Sequence, residues 1–288
     1  MIDATTLIGE RAVSFTVTGG WAHFRRVDAN RTKMTYRLPP RTTVAGLCAA
    51  VLGRDRDSYY ELFGEGVSAI GIGIDPAHPT RTVSLPIQSL MTAKGEGIRT
   101  VKTEAGTVRL PDPSYPRQRY AYEMLIDPGY RIDVWLADEE ARRALADRLS
   151  EGRSEYALSL GLSECLATVR PETVTEPTIE PIGERDNRER EAASANDGNN
   201  HGHGRGRDTP TIAADSAVPV PTAVVGQAGR TITTERSPGW MRTEGGSRVT
   251  DGWIDWQFDP TGSQVSIRAH AEGEPMPIRL DDRTVVMT

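Results

Sequence analysis

Residues 11–53 read RAVSFTVTGGWAHFRRVDANRTKMTYRLPPRTTVAGLCAAVLG, and the pattern passes from strand to loop to helix. Over 11–19, Val13, Phe15 and Val17 alternate with polar neighbours, the period-two signature of a half-buried strand. Residues 20–38 follow as a basic loop. Pro39 and Pro40 then mark a helix start, and Val44, Leu47, Cys48 and Val51 recur at i, i+3, i+4 and i+7 on one helical face. Ala45, Gly46, Ala49 and Ala50 are small enough to let another backbone approach, and Gly53 is a natural stop.

Working outward, residues 58–63 suggest a short helical piece, 67–74 (VSAIGIGI) a second strand and 81–90 a third. Residues 92–116 are polar, basic and punctuated by Gly and Pro, with β character around Ile98–Val101, and predict a long protruding hairpin. Residues 119–126 and 130–136 are predicted to pair across the turn Asp127-Pro128-Gly129. A second helix is predicted at 138–151, with Asp138 as N-cap, Glu139 and Glu140 in its first turn and Gly152 beyond its end. A short strand near 164–170 closes this half.

The order predicts an α+β domain over 1–170, a ferredoxin-like (RRM-like) layer of helices on an antiparallel sheet. Residues 171–215 contain no aromatic residue and little apolar periodicity, so an acidic, largely disordered insertion is expected there. Residues 216–288 are expected to form a small C-terminal β module, with strands at 217–225, 229–234, 253–258 and 264–269.

The net charge of −6 conceals a gradient. Residues 1–170 carry 22 Lys and Arg against 21 Asp and Glu, and residues 171–288 carry 12 against 19. Residues 20–41 hold six basic side chains and one acid, and residues 92–119 hold six and three. Two local positive patches on an acidic surface suit a polyanion bound at a defined place. Only Lys33, Lys94 and Lys102 are lysines, so arginine carries nearly all the positive charge; its planar fork stacks and makes bidentate bonds.

Cys48 and Cys165 are far apart in apolar surroundings and read as core residues rather than as a disulfide or metal pair. Residues 1–15 lack the basic start and apolar run of a signal peptide, and no apolar stretch approaches bilayer length, so a soluble cytoplasmic chain is expected. Gly71-Ile-Gly73 lacks the third glycine and the helix of a dinucleotide fingerprint. His201-Gly-His203 sits in the biased segment and reads as compositional, so neither metal nor cofactor is expected.

The stretch Trp21-Ala-His23-Phe24-Arg25-Arg26 joins stacking side chains to phosphate-binding ones, as single-strand RNA binders do; a solvated basic loop with one aromatic in the core is the plainer alternative. Lys33 to Arg41 leads into the first helix, whose N-terminal N–H groups with Arg41, Thr42 and Thr43 could cradle a phosphate, although simple threonine capping explains the same residues. Lys94, Arg99 and Lys102 ride on the 92–116 hairpin, and Arg117-Gln118-Arg119-Tyr120 offers base-edge and stacking contacts. His23, Lys33 and Tyr36 are also the residue types of a metal-independent ribonuclease.

Together these segments resemble the fifth CRISPR-associated protein family of the RAMP superfamily, in its type I-B form. The resemblance lies in FTVTGGWAHFRRVDANRTKMTYRLPPRTTVAGLCAAVLG, QRYAYEMLIDPGYRIDVWLAD and ALSLGLSECLATV, and faintly in TERSPGWM. It implies a ferredoxin-like RAMP domain that grips the 5′ handle of CRISPR RNA and touches the backbone RAMP subunit and the large subunit of Cascade. The hairpin at 92–116 would clamp the handle. By position, His23, Arg25, Arg26, Lys33, Tyr36, Arg41, Lys94, Lys102, Arg117 and Arg119 would bind it. In one subtype the family member itself cuts precursor RNA with tyrosine, lysine and histidine, which keeps the endoribonuclease as an alternative. A generic RRM-like RNA binder is the other.

Overall fold

A computed structural model of the chain describes residues 4–26, 32–90, 97–104, 106–182, 211–220, 222, 224–226, 228–268 and 277–288. The strand expected first is β1 (Val13–Gly19). The helix expected after the prolines is α1 (Arg41–Leu52), with Pro40 at its N-cap and Gly53 left-handed at φ +70° where it stops. Strands β2 (Ser68–Ile74) and β3 (Thr82–Leu90) follow, then a hairpin of β4 (Ile98–Thr103) and β5 (Gly106–Pro111). Next come β6 (Arg117–Ile126), β7 (Gly129–Leu136), α2 (Glu139–Ser150) and β8 (Ala167–Val169). Asp138 caps α2 by accepting from the Ala141 N–H at 2.9 Å.

The principal sheet has the order β8-β1-β7-β2, antiparallel throughout. Val13, Phe15 and Val17 put one face of β1 into the main core with Leu47, Cys48 and Val51 of α1 and Leu145 and Leu149 of α2. The opposite face carries Ser14, Asp133 and Gly71, which lie directly across from one another. A Cβ on Gly71 would meet Val285 at 2.6 Å, so a second layer packs flush against that face.

That layer comes from the end of the sequence. Strand β9 (Ile179–Pro181) pairs with β16 (Pro277–Leu280), which pairs with β17 (Arg283–Val286). Ile179, Ile278, Leu280 and Val285 form a second buried cluster with Ala69 and Trp135 of the main sheet. Between β9 and β16 lie β10 (Thr211–Ala214), β11 (Thr233–Pro238), the hairpin β12 (Met241–Glu244) and β13 (Ser247–Thr250), β14 (Trp253–Phe258) and β15 (Val265–Arg268). Alternation along β14 sends Ile254, Trp256 and Phe258 into the same core as α1 and β1. The 241–250 and 277–286 hairpins were not expected from the sequence. The two ends of the 171–215 stretch are paired strands, and residues 183–210, with His201 and His203, lie outside the described residues.

The fold is mostly β, in several antiparallel sheets with few helices, further toward β than an α+β reading suggests. Two local expectations are corrected. Residues 58–63 form turns rather than a helical piece. Strands β6 and β7 do not pair with each other across Asp127-Pro128-Gly129: β6 pairs with β3, and β7 sits between β1 and β2. The turn hands the chain from one sheet to the next. It is pinned to β1 where Gly19 N–H donates to Pro128 O at 3.1 Å and Asp127 N–H to Gly20 O at 3.0 Å.

Among the described residues no helix is long and apolar enough to cross a membrane. Both cysteines are free and buried, and burial pushes the Cys48 thiol up to about 12.

Candidate nucleic-acid interface

The second sheet is a ribbon. Strands β3 and β6 pair antiparallel from Arg117↔Leu90 to Leu125↔Thr82, and hairpin β4–β5 continues from the outer end. The basic loop after β1 crosses the other edge of β6 in short pieces. Trp21–Ala22 pairs with Ile126 and Leu125, and Thr32–Lys33 runs parallel beside Ala121 and Tyr122. Between them Phe24–Arg25 pairs with Thr35–Tyr36.

Residues opposite one another on a ladder share a face, and successive residues alternate between faces. One face of the ribbon therefore bears Tyr120, Tyr122, Met124, Val83, Leu85 and Ile87, joined by Lys33 and Trp21 from the loop. Val83, Leu85 and Tyr122 rest on the main core, which anchors the ribbon. Farther out, Tyr120 meets Tyr122 edge to face at 6.5 Å, and the Lys33 ammonium lies 5.1 Å from the Tyr120 ring centroid. The His23 ring lies 5.2 Å from Tyr122 at the inner end. Trp21 is 42% exposed.

The other face bears Arg117, Arg119, Ala121, Pro86 and Gln88. Both arginines are exposed. The structure thus brings Lys33, His23, Tyr120 and Tyr122 together and sets Arg117 and Arg119 on the far side.

The remaining candidates divide by burial. Arg25 is exposed, and Arg26 lies over the Tyr36 ring with 5.3 Å from its Cζ to the centroid. Tyr36 itself is 4% exposed and belongs to the core. His23 is 1% exposed. Its Nδ1 lies 2.8 Å from Glu123 O, and because a carbonyl only accepts, Nδ1 carries the proton and Nε2 is a buried, unpartnered acceptor. Burial, with Arg25 and Lys33 nearby, lowers the His23 pKa below its ordinary value, against the bond to Glu123. Lys102 is exposed on the standing hairpin, with Arg99 and Arg109. Lys94 lies outside the described residues.

Arg41 departs most from the phosphate-cradle reading. It is 1% exposed, and its guanidinium donates to Phe63 O at 2.9 Å, Ser68 Oγ at 2.6 Å, Ser68 O at 3.2 Å and Thr288 O at 3.1 Å. Its Cζ also lies 5.1 Å from the Trp240 ring. With its donors turned inward, Arg41 ties the fold together. Burial pulls its pKa down to about 10.

Sequence reasoning did not single out Tyr122, Glu123 or Glu235. Glu123 accepts from the Thr35 N–H at 3.1 Å as well as from His23, and so sets the loop on the ribbon. Glu235, reaching over from β11, accepts from the Arg37 N–H at 2.8 Å and holds the loop from behind. The Tyr120-Ala-Tyr122 alternation alone could have placed two aromatics on one face.

The family described as CRISPR-associated protein (Cas_Cas5) matches residues 13–223, which span the principal sheet, the ribbon and every site residue above except Glu235. The chain belongs to this Cas5 family. No curated protein matches it. Among solved structures, a chain of a CRISPR RNA-guided surveillance complex is similar at 15% identity and TM-score 0.43, covering 96% of this chain and 91% of that one. A Cas protein crystal structure is similar at 16% and 0.36, covering 61% and 69%. A chain of a type III-B Cmr-β complex bound to cognate target RNA and AMPPnP is similar at 8% and 0.38, covering 90% and 86%. At such scores these likenesses add nothing to the Cas5 assignment, which rests on the family match.

Proposed function

We propose that this Cas5-family chain is the subunit of a type I, I-B-like interference complex that holds the 5′ handle of CRISPR RNA without cutting it. Its partners would be the backbone RAMP subunit and the large subunit. The observation that carries the reading is the Lys33–Tyr120–Tyr122 face, where a cation and half-buried aromatics meet on one side of the ribbon, with exposed Trp21 at the inner end of the same side. Bases stack on such rings while the ammonium meets a phosphate. The basic hairpin β4–β5, standing at the end of that ribbon, is suited to fold over a bound strand. The sheet order β8-β1-β7-β2, with α1 between β1 and β2 and α2 between β7 and β8, supports a ferredoxin-like core beneath it.

Burial of His23 and Tyr36 favours holding over cutting. A general base must reach the proton that it abstracts, and His23 is enclosed with Nδ1 already engaged.

The test is binding of labelled precursor RNA in EDTA, with and without the repeat-derived 5′ handle. A shift confined to handle-bearing, uncut RNA is expected, and Tyr120→Ala should weaken it about 5- to 150-fold, the span of one lost base stack. A single cut within the repeat, or equal binding to scrambled RNA, would overturn the reading.

A further inference from the structure

Arg117 and Arg119 are left over by that reading. They alternate with Tyr120 along β6, so while Tyr120 turns to the Lys33 face, both arginines project from the opposite one. Among the described residues neither forms an ion pair, and both are exposed. Two residues apart on one strand, their Cα atoms stand about 6.5–7 Å from each other, fixed by the ladder to β3. Two exposed guanidinium groups set side by side on an open face are placed to take a bidentate anion.

The surroundings decide what kind of anion. By register this face bears Leu90, Gln88, Pro86 and Ala121 beside the arginines, with Ser84 and Glu123 farther in, where the Glu123 carboxylate is engaged by the Thr35 N–H. Among the described residues this stretch carries no aromatic ring to stack a base. What remains is charge, the fork geometry of guanidinium and a flat approach, which suit phosphate oxygens and are indifferent to base identity.

We propose that the Arg117–Arg119 face is a second nucleic-acid contact, taking the phosphate backbone of a strand other than the one that stacks on Tyr120. This assignment rests on the reading of the Tyr120 face as the guide-RNA site. The ribbon then separates two strands: one read by rings and a lysine, the other held by charge alone.

The experiment uses the full chain, both loaded with handle RNA and unloaded, and titrates labelled oligothymidylate across a range of salt. A phosphate neutralised on a single strand contributes about 0.7 to the slope of log affinity against log salt. The double variant Arg117→Ser/Arg119→Ser should therefore lose about 1.4 from the oligothymidylate slope while handle RNA affinity stays within about twofold. Tyr120→Ala should do the reverse. If the double variant weakens handle RNA and spares oligothymidylate, the arginines belong to the guide site and the proposal fails. If neither ligand responds, the face serves an acidic protein or no ligand, and the proposal also fails. Should the wild type ignore the handle altogether, the guide-site reading falls, whereas the oligothymidylate slope on unloaded protein still reports on the arginines.

Discussion

Arg283 lays its guanidinium on the Asp133 carboxylate in two-pronged fashion, at 2.6 and 3.1 Å, across 150 residues of sequence. Asp133 is 1% exposed, in the middle of the principal sheet, and also accepts from Ser14 Oγ at 2.6 Å. The pair bolts β17 to β7. Removing one partner of a buried pair leaves the other charge without compensation, at a cost of about 3–5 kcal/mol. Arg283→Met should therefore lower the urea midpoint sharply. The double change Arg283→Met/Asp133→Leu should recover part of the loss, because no isolated charge remains. A double variant weaker than the single one would show that the pair stabilises beyond its own neutralisation.

Gly161 sits under the His23 backbone with φ +94°, and a Cβ there would overlap His23 O. The His23 N–H is bonded to Leu160 O at 3.1 Å, so the loop cannot simply lift away. Gly161→Ala should destabilise by more than the roughly 1–3 kcal/mol of a left-handed non-glycine residue. Gly9 has φ +89° with nothing within 4 Å, so Gly9→Ala is the control for backbone strain alone. The difference in melting temperature between the two variants isolates the clash. Equal losses would mean that the His23 segment yields easily.

Arg41 donates to acceptors from four separate segments, around residues 63, 68, 239 and 288. A lysine has one ammonium and no fork, and cannot reach all of them. Arg41→Lys should cost about 2–4 kcal/mol in unfolding free energy, because buried carbonyls lose their donors. Amide exchange at Ile70, whose N–H bonds to Thr288 O at 2.9 Å, should quicken in the same variant. Unchanged stability would return Arg41 to the list of ligand contacts.

What the sequence made legible is what neighbours in sequence decide. The α1 and α2 limits follow from Pro40, Gly53 and Asp138, each acting within a turn of its own backbone. The alternation of β1 and the basic hairpin at 98–111 are equally local. The burial of Arg41 is not legible in the sequence, because its acceptors come from residues 63, 68, 239 and 288 and nothing beside it in the chain announces them. Asp127-Pro128-Gly129 does reverse the chain, but a turn does not specify which strands pair after it. Within the site, aromatic and basic residues were visible singly. Their sorting onto two faces needed the register of β3 against β6, a long-range fact. Arg117 and Tyr120 therefore look like one patch in the sequence and stand on opposite sides in the fold.

His23 supplies the pH prediction. Burial is the largest influence on its ring and lowers the folded-state pKa below 6.5, so the unfolded chain takes up the proton first as pH falls. Stability then rises with pH through this window. The contribution of neutral His23 is present above 6.5 and is lost progressively as pH drops below that value. Protonation would also place a cation near Arg25 and Lys33, the two charges that already oppose it. The urea midpoint of the wild type should accordingly fall between pH 7 and pH 5. His23→Asn, whose amide nitrogen stands where Nδ1 does and can still donate to Glu123 O without titrating, should flatten that part of the profile whatever its absolute stability. Parallel profiles for the two proteins would assign the acid sensitivity to other groups and leave the ring with room to charge.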